Sequence, residues 1–296
     1  MNRILKVIML PLIVSNLFGQ GKKIFISADL EGVVGVVTAE QLGPSGFEYN
    51  RFREFMTAEV NAAIQAAKDA GATEILVADS HGNGQNLLIE KLPKDVQVIR
   101  SWPRPLGMME GIDASFDGVI FTGYHASTDN MEGVQAHTFS SSKLTSVKVN
   151  GQVMTEGSWN AAIAGHFGVP VIMVSGDDAA VKEVKSIIGN IEGAIVKESI
   201  SFHSAKSLHP EAAYDLIAEK TAYAVKNIKK YKPYKIPGPI TVSITFKHYQ
   251  PSQLLAYLDM FKRTGSHTIE YKAKDIIEAS HIIRVVTGFN GGKTSP

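Results

Sequence analysis

The sequence predicts an α/β fold: a mostly parallel sheet with flanking helices, followed by a smaller C-terminal α+β subdomain. Three observations lead there. Short apolar runs suited to buried strands alternate with longer stretches of helical period. Polar residues close several of those runs, as at Asp29, His81, His125 and Asp177. A Pro- and Lys-rich stretch over 231–239 then separates this alternation from a shorter segment with its own strand and helix patterns. Such alternation builds parallel sheets, because each strand returns through a helix.

Residues 24–28 form the first expected strand. Residues 49–70 read as a helix: Phe52, Phe55, Met56, Val60, Ala63, Ile64 and Ala67 recur near the helical period, and Gly71 stops it. Residues 74–78 are the next strand, ending in Asp79-Ser80-His81-Gly82. Residues 118–122 follow, ending in Gly123-Tyr124-His125-Ala126. The stretches 146–149 and 152–154 flank Asn150-Gly151, the signal of a two-residue hairpin. A short helix over 159–167 leads to a strand over 171–175 that closes with Gly176-Asp177-Asp178. A helix over 179–188, a strand over 194–200 and a long helix over 210–230 complete the main unit. Beyond the linker the pattern predicts a strand over 240–247, a helix over 252–260, a strand over 268–271 and a helix over 273–286. Residues 290–296 should fray. The expected division is a leader over 1–20, a main α/β domain over 21–235 and a small subdomain over 236–296.

Composition narrows the function. The chain has 296 residues and a formal net charge of +1, so it lacks the basic footprint of a nucleic-acid binder. It has no Cys, which excludes disulfides and thiolate metal sites. Any metal must be held by His and carboxylate, donors that suit zinc or manganese-like ions. At the N-terminus, Arg3 and Lys6 precede an apolar run over 7–14 that Leu17-Phe18-Gly19 extends. This fits a signal peptide cut near Gly19-Gln20, and it is too short for a stable membrane span. The expected location is therefore periplasmic or extracellular. A core strand at the N-terminus is the alternative.

The most informative stretch is Ser27-Ala28-Asp29-Leu30-Glu31-Gly32. In extended backbone, residues two apart share a side, so Asp29 and Glu31 aim two carboxylates at one spot while Leu30 points back into packing. Crowded carboxylates repel and need a cation or a shared proton. Solvated acids at a strand end are the bland alternative. His81 and His125 follow other strands, where they could equally be hydrogen-bonded turn residues. If the strands are parallel and adjacent, all these groups converge, because ligand sites in open α/β sheets gather beyond the carboxyl ends of strands. His137 lies nearby in sequence, and Glu156 stands at a helix start, where an acid also improves helix electrostatics. The remaining six His read as surface or packing residues.

Taken together, these blocks resemble the zinc-dependent D-aminopeptidases of the dipeptide-operon type. The resemblance runs over about 23–290. It rests on the Ser-x-Asp-x-Glu-Gly block, Asp79-Ser80-His81, Gly123-Tyr124-His125-Ala126, Ala136-His137, Glu156 with Asn160-Ala161, and Gly176-Asp177-Asp178. It implies that the main domain is catalytic and holds two zinc ions per chain on Asp29, Glu31, His81, His125 and Glu156, with His137 as the catalytic residue. It also implies release of N-terminal D-residues such as D-Ala from short peptides, inside a self-compartmentalising decamer. Asp79 and Asp177 would then orient ligand histidines. One departure is Thr155, which stands where the family often has Gly. Two other readings stand beside this one. The first is another metal-dependent amidohydrolase on the same scaffold; a phosphoesterase is disfavoured because no Arg or Lys lies within the motifs. The second is an exported, non-enzymatic solute-binding module, which would have two similar lobes and no metal.

Overall fold

The computed structural model describes residues 21–288. The expected leader and the fraying tail lie outside the described residues. In chain order the elements are β1 (Lys22–Ala28), α1 (Tyr49–Asp69), β2 (Ala72–Asp79), β3 (Gln97–Ile99), β4 (Gly118–Tyr124), β5 (Leu144–Val149), β6 (Gln152–Val153), α2 (Glu156–His166) and β7 (Val171–Asp177). They continue with α3 (Asp178–Ile188), β8 (Glu192–Ser201), β9 (Ser204–Ser207), α4 (Pro210–Lys226), β10 (Ile240–Phe246), α5 (Tyr249–Leu255), β11 (Phe261–Arg263), β12 (Thr268–Ala273) and α6 (Ile276–Gly288).

Seven strands form the main sheet in the order β3-β2-β1-β4-β7-β8-β9. Every neighbouring pair is parallel except the β8–β9 hairpin at one edge. The chain starts in the middle of the sheet and winds outward both ways, so its direction reverses between β1 and β4. A crevice opens at such a point, beyond the carboxyl ends of the strands. The sheet is buried on both faces, and β1 shows how. Ile24 and Ile26 join the apolar layer of α1 and α4, whereas Phe25 joins the opposite layer of α2, α3 and α6. Leu30 continues the first set into the core, as its parity predicts.

The second sheet is antiparallel, in the order β11-β12-β10-β5-β6. Here the division expected at 235/236 does not follow the sheets. The β5–β6 hairpin lies within 21–235, yet β5 pairs with β10 along Val242↔Val149 to Phe246↔Leu144. The reason is burial. A two-stranded hairpin cannot cover its own apolar face. Leu144, Val147 and Val149 share one core with Ile240, Val242, Ile244 and Phe246. The predicted turn forms with φ of 51° at Asn150 and 84° at Gly151. Three short strands, β3, β9 and β11, carry no sequence signal, since they lie at sheet edges with polar or half-exposed residues. The helix expected over 252–260 stops at Leu255. No helix among the described residues is long and apolar enough to cross a membrane.

Two glycines let the ends of β1 and β4 pass each other. The Gly32 amide donates to the Gly123 carbonyl at 2.7 Å, and a Cβ on Gly32 would collide with the Tyr124 carbonyl oxygen. Gly123 has φ +69°, and a Cβ there would meet the Asp29 carbonyl. Close approach, rather than an unusual φ, is thus what Gly32 provides. Gly32→Ala should destabilise the protein by about 1–3 kcal/mol, the usual cost of overpacking. Calorimetric melting checks this, and an unchanged melting temperature would show that the two strand ends can part freely.

Candidate metal centre

Six of the sequence-predicted residues meet at the carboxyl edge of the sheet, around the β1/β4 crevice. Asp29 and Glu31 extend from β1, His81 from β2 and His125 from β4. Glu156 is the first residue of α2, and His137 comes from the loop between β4 and β5. Asp29, Glu31, His81, His125 and Glu156 are all buried, and His137 is partly buried. His81 Nδ1 lies 3.2 Å from Asp29 Oδ1 and 2.8 Å from Glu31 Oε2. His125 Nε2 lies 3.4 Å from Asp29 Oδ2 and 3.5 Å from Glu156 Oε1. His137 Nε2 lies 3.8 Å from Glu31 Oε1 and 3.7 Å from Glu156 Oε1. The other six His stay out of the cluster, five exposed and His267 partly so.

Each imidazole can be held by a backbone carbonyl on its outer nitrogen. His81 Nε2 donates to the Leu42 carbonyl at 2.7 Å, His125 Nδ1 to that of Ala126 at 3.0 Å and His137 Nδ1 to that of Gln135 at 2.8 Å. In the neutral tautomer these bonds select, the inner nitrogen presents a lone pair to the centre. Three lone pairs and three carboxylates then face one another with no donor between them. Asp29 Oδ2 and His125 Nε2 are fully buried without a hydrogen-bond partner. Orphaned donors and acceptors of this kind are costly, and a cation between them would satisfy both. The donor set fits zinc, which takes imidazole nitrogen and carboxylate oxygen.

The electrostatics agree. Burial alone would raise the Asp29 carboxyl, but His125 and His81 outweigh it and hold the group well below the usual carboxylate range. Burial likewise raises Glu156, and the His125 charge overrides it to bring the group down. Burial disfavours charge on His81 and His125, yet Glu31 beside the first, Glu156 beside the second and Asp29 beside both lift them well above the usual imidazole range. The site thus demands positive charge, whether from protons or from metal. Two tight ligand groups share one member: Asp29, Glu31 and His81, and Asp29, His125 and Glu156. A third group joins Glu31, His125 and His137.

The loops explain the positions. Thr155 caps α2 by accepting from the Ser158 amide at 2.8 Å, which gives that departure from the family pattern a structural role and fixes Glu156 at the helix start. Glu156 Oε1 also accepts from the Phe139 amide at 2.7 Å. His137 sits between two residues in the left-handed region, Gln135 at φ 53° and Phe139 at φ 61°. Its amide donates to the Ala126 carbonyl at 3.0 Å, which brings its ring onto His125 with centroids 4.0 Å apart and planes 8° apart.

Asp79 and Asp177 do not orient ligand histidines. Asp79 accepts from the amides of Asn86 and Leu87 at 2.6 and 2.8 Å and so closes the loop that carries His81. Asp177 caps α3 through the Ala180 amide at 2.8 Å and reaches the Val134 amide at 3.3 Å. Both are loop anchors, because their oxygens are taken up by backbone amides of the neighbouring loops and of α3.

Sequence reading missed Lys197, which is fully buried in β8. Its ammonium donates to the carbonyls of Glu31, Val33 and Val36 at 2.5, 3.0 and 2.6 Å. Burial lowers its pKa to about 8, which leaves it charged at neutral pH. Glu59 holds the same turn from the other side by accepting from the Val34 amide at 2.8 Å, and burial pushes its carboxyl up to about 7. A lone Lys in an alternating strand reads as solvent-facing, so no sequence signal marked it. Reading also missed Arg104 and Arg284, which line the pocket over the cluster together with Trp102 and Phe139. The pocket encloses about 1010 Å³. The lack of cations in the motifs therefore does not extend to the folded pocket.

Lys197→Met should cost about 3 kcal/mol or more in stability, by abandoning buried carbonyls. It should also weaken zinc binding roughly 10–100-fold, as losses behind a metal ligand do. Melting and a zinc titration test this, and a folded variant with unaltered zinc affinity would show that the turn carrying Glu31 holds without its cation.

Comparison with known proteins agrees with this geometry. A family model described as D-aminopeptidase matches residues 22–285. A D-aminopeptidase of Bacillus subtilis (strain 168) is 37% identical over 269 residues, covering 90% of this chain and 96% of the relative. The solved structure of DppA from Bacillus subtilis, described as a Zn-dependent D-aminopeptidase and a self-compartmentalizing protease, superposes with a TM-score of 0.87 at 36% identity. That match covers 93% of this chain and 99% of the other. A match along nearly the whole chain, with the clustered acids and imidazoles inside it, places this protein in the D-aminopeptidase family.

Proposed function

We propose that this protein is an exported zinc D-aminopeptidase that uses two metal ions to release N-terminal D-residues, such as D-Ala, from short peptides. The metal-dependent D-aminopeptidase activity rests on family membership. The observation that supports two ions is the sharing of Asp29 between two ligand groups. Asp29, Glu31 and His81 would hold one ion, and Asp29, His125 and Glu156 the other, with Asp29 bridging. Zinc held there supplies a Lewis acid that polarises a peptide carbonyl and acidifies water.

The chain supplies the proton handling. His137 Nδ1 is committed to the Gln135 carbonyl, so Nε2 is the basic atom facing the cluster. It can take a proton there and deliver it to the leaving amine. Glu156 fixes the Phe139 amide, and the Ala126 carbonyl fixes His137, so the base is placed before substrate arrives. The solute-binding alternative loses ground, because the two sheets differ in strand number and direction and form no pair of similar lobes.

We expect two zinc ions per chain by elemental analysis, and one fewer in His81→Ala or His125→Ala. His137→Ala should keep both ions while turnover falls roughly 10²–10⁴-fold, the size of general acid–base effects. Loss of zinc in that variant would instead make His137 a ligand, as its grouping with Glu31 and His125 allows. Cleavage of L-Ala-L-Ala faster than D-Ala-D-Ala would remove the chirality assignment.

The self-compartmentalizing character of the solved relative supports a homo-oligomer here, and the family resemblance makes a decamer the expected size. Export rests on Arg3, Lys6 and the apolar run over 7–14. Protein taken from the native host should begin near Gln20 and scatter light as a high-order oligomer. A chain that retains Met1 in the cytoplasm would overturn export, and an active monomer would overturn compartmentation.

A further inference from the structure

Across the pocket from the acidic cluster stands a cationic wall that the proposed chemistry does not use. Arg284 comes from α6 and Arg104 from the loop after β3, and both guanidinium groups lie against one ring. The Arg104 carbon is 4.2 Å from the Trp102 centroid and that of Arg284 is 4.8 Å away. Arg284 also lies 5.8 Å from the Phe139 ring. Gly107, with φ +61°, leaves the room its guanidinium fills, since a Cβ there would collide with it.

These two cations differ in what they already hold. Arg104 spends Nε on the Ser101 carbonyl and Nη2 on those of Asp79 and Ile99, but its buried Nη1 has no partner. For Arg284, no hydrogen bond or ion pair forms among the described residues. Two guanidinium groups on one indole repel, and an anion reaching their unspent donors would offset that repulsion. Burial lowers Arg104 to about 10. Burial also lowers Arg284, against the opposing charge of Glu156. A guanidinium so shifted remains cationic at neutral pH.

We propose that Arg284, supported by Arg104, binds the free terminal carboxylate of the peptide substrate. This rests on the aminopeptidase reading of the cluster. A guanidinium matches a carboxylate by two parallel N–H bonds, and stacking on Trp102 and Phe139 fixes its plane beforehand. The terminal carboxylate of a dipeptide lies about 3.8 Å, one residue, beyond the hydrolysed carbonyl. Phe139 links the two ends of such a substrate, because its amide is bound by Glu156 while its ring faces Arg284. Amidated peptides offer this wall no charge.

The test compares D-Ala-D-Ala with its C-terminal amide on the zinc-loaded enzyme. The wild type should favour the free acid about 10–100-fold in kcat/KM, mostly through KM, as expected for a charge-assisted contact made in both ground and transition states. In Arg284→Gln that ratio should collapse toward one, and Arg284→Lys should restore part of it. Calorimetric titration of both peptides into zinc-loaded His137→Ala gives the same ratio as an equilibrium affinity, without turnover. Equal use of acid and amide by the wild type, or an undiminished ratio in a folded Arg284→Gln, would overturn the proposal. Failure of the wild type to cleave either D-peptide would instead overturn the aminopeptidase reading, and this inference with it.

Discussion

Asp29 is buried where the sheet reverses direction, and its two oxygens face two different imidazoles. That placement carries a large desolvation cost, which only nearby positive charge can offset. Everything around it serves that requirement. The β1/β4 reversal brings Asp29 beside His125, and the parallel register sets β2 and its His81 on the other flank. Glycine at 32 and 123 lets the two chains approach closely enough for one carboxylate to serve both sides.

The imidazoles are held from behind by backbone carbonyls rather than by carboxylates. This choice matters for the charge on the centre. A carboxylate behind each His would stabilise imidazolium and add further negative charge to a site that already has three acids. A carbonyl fixes the tautomer and ring plane without adding charge to the centre. The carbonyls are themselves anchored: the Leu42 amide closes a turn onto the Ala39 carbonyl, and Ala126 and Gln135 lie in a loop tied by Asp177 and by the Phe202 carbonyl at the tip of the β8–β9 hairpin, while Asp79 ties the loop of His81. The acids expected to touch the histidines instead act on the loops that aim them.

Much of this was legible because it follows from parity and strand ends. The spacing of Asp29 and Glu31 fixes their common side, and the apolar runs before His81 and His125 mark parallel strands that finish at one edge. Hydrogen-bonded backbone could not be read in the same way. Lys197 looks like a solvent-facing residue of an alternating strand, and only the turn after Glu31 folding over β8 reveals it as a buried cation. Arg284 belongs to a helix whose apolar stripe, Ile276, Ala279 and Ile283, explains its packing completely, so nothing in the pattern singles out the arginine. The hairpin at Asn150-Gly151 was recognisable, but its partner strand lies some ninety positions later, and pairing at that distance leaves no local trace.

The two walls of the pocket explain each other. With the two zinc ions proposed above in place, the three carboxylates of Asp29, Glu31 and Glu156 would leave the floor with a net positive charge. Such a floor attracts the carboxylate of a peptide as readily as its carbonyl, and a peptide bound that way is reversed and inert. A competing cationic site at Arg284 removes that ambiguity, because guanidinium binds a carboxylate through two aligned hydrogen bonds. The amine end and the scissile carbonyl would then lie over Asp29, Glu31 and Glu156, the residues that would hold the metal. Orientation is thus set by where the carboxylate is held rather than by repulsion at the floor. It also follows why α6, the last helix of the second sheet's segment, reaches back over the carboxyl edge of the first: the chain's final described element supplies the charge that the catalytic sheet, filled with carboxylates and imidazoles, has no room to carry.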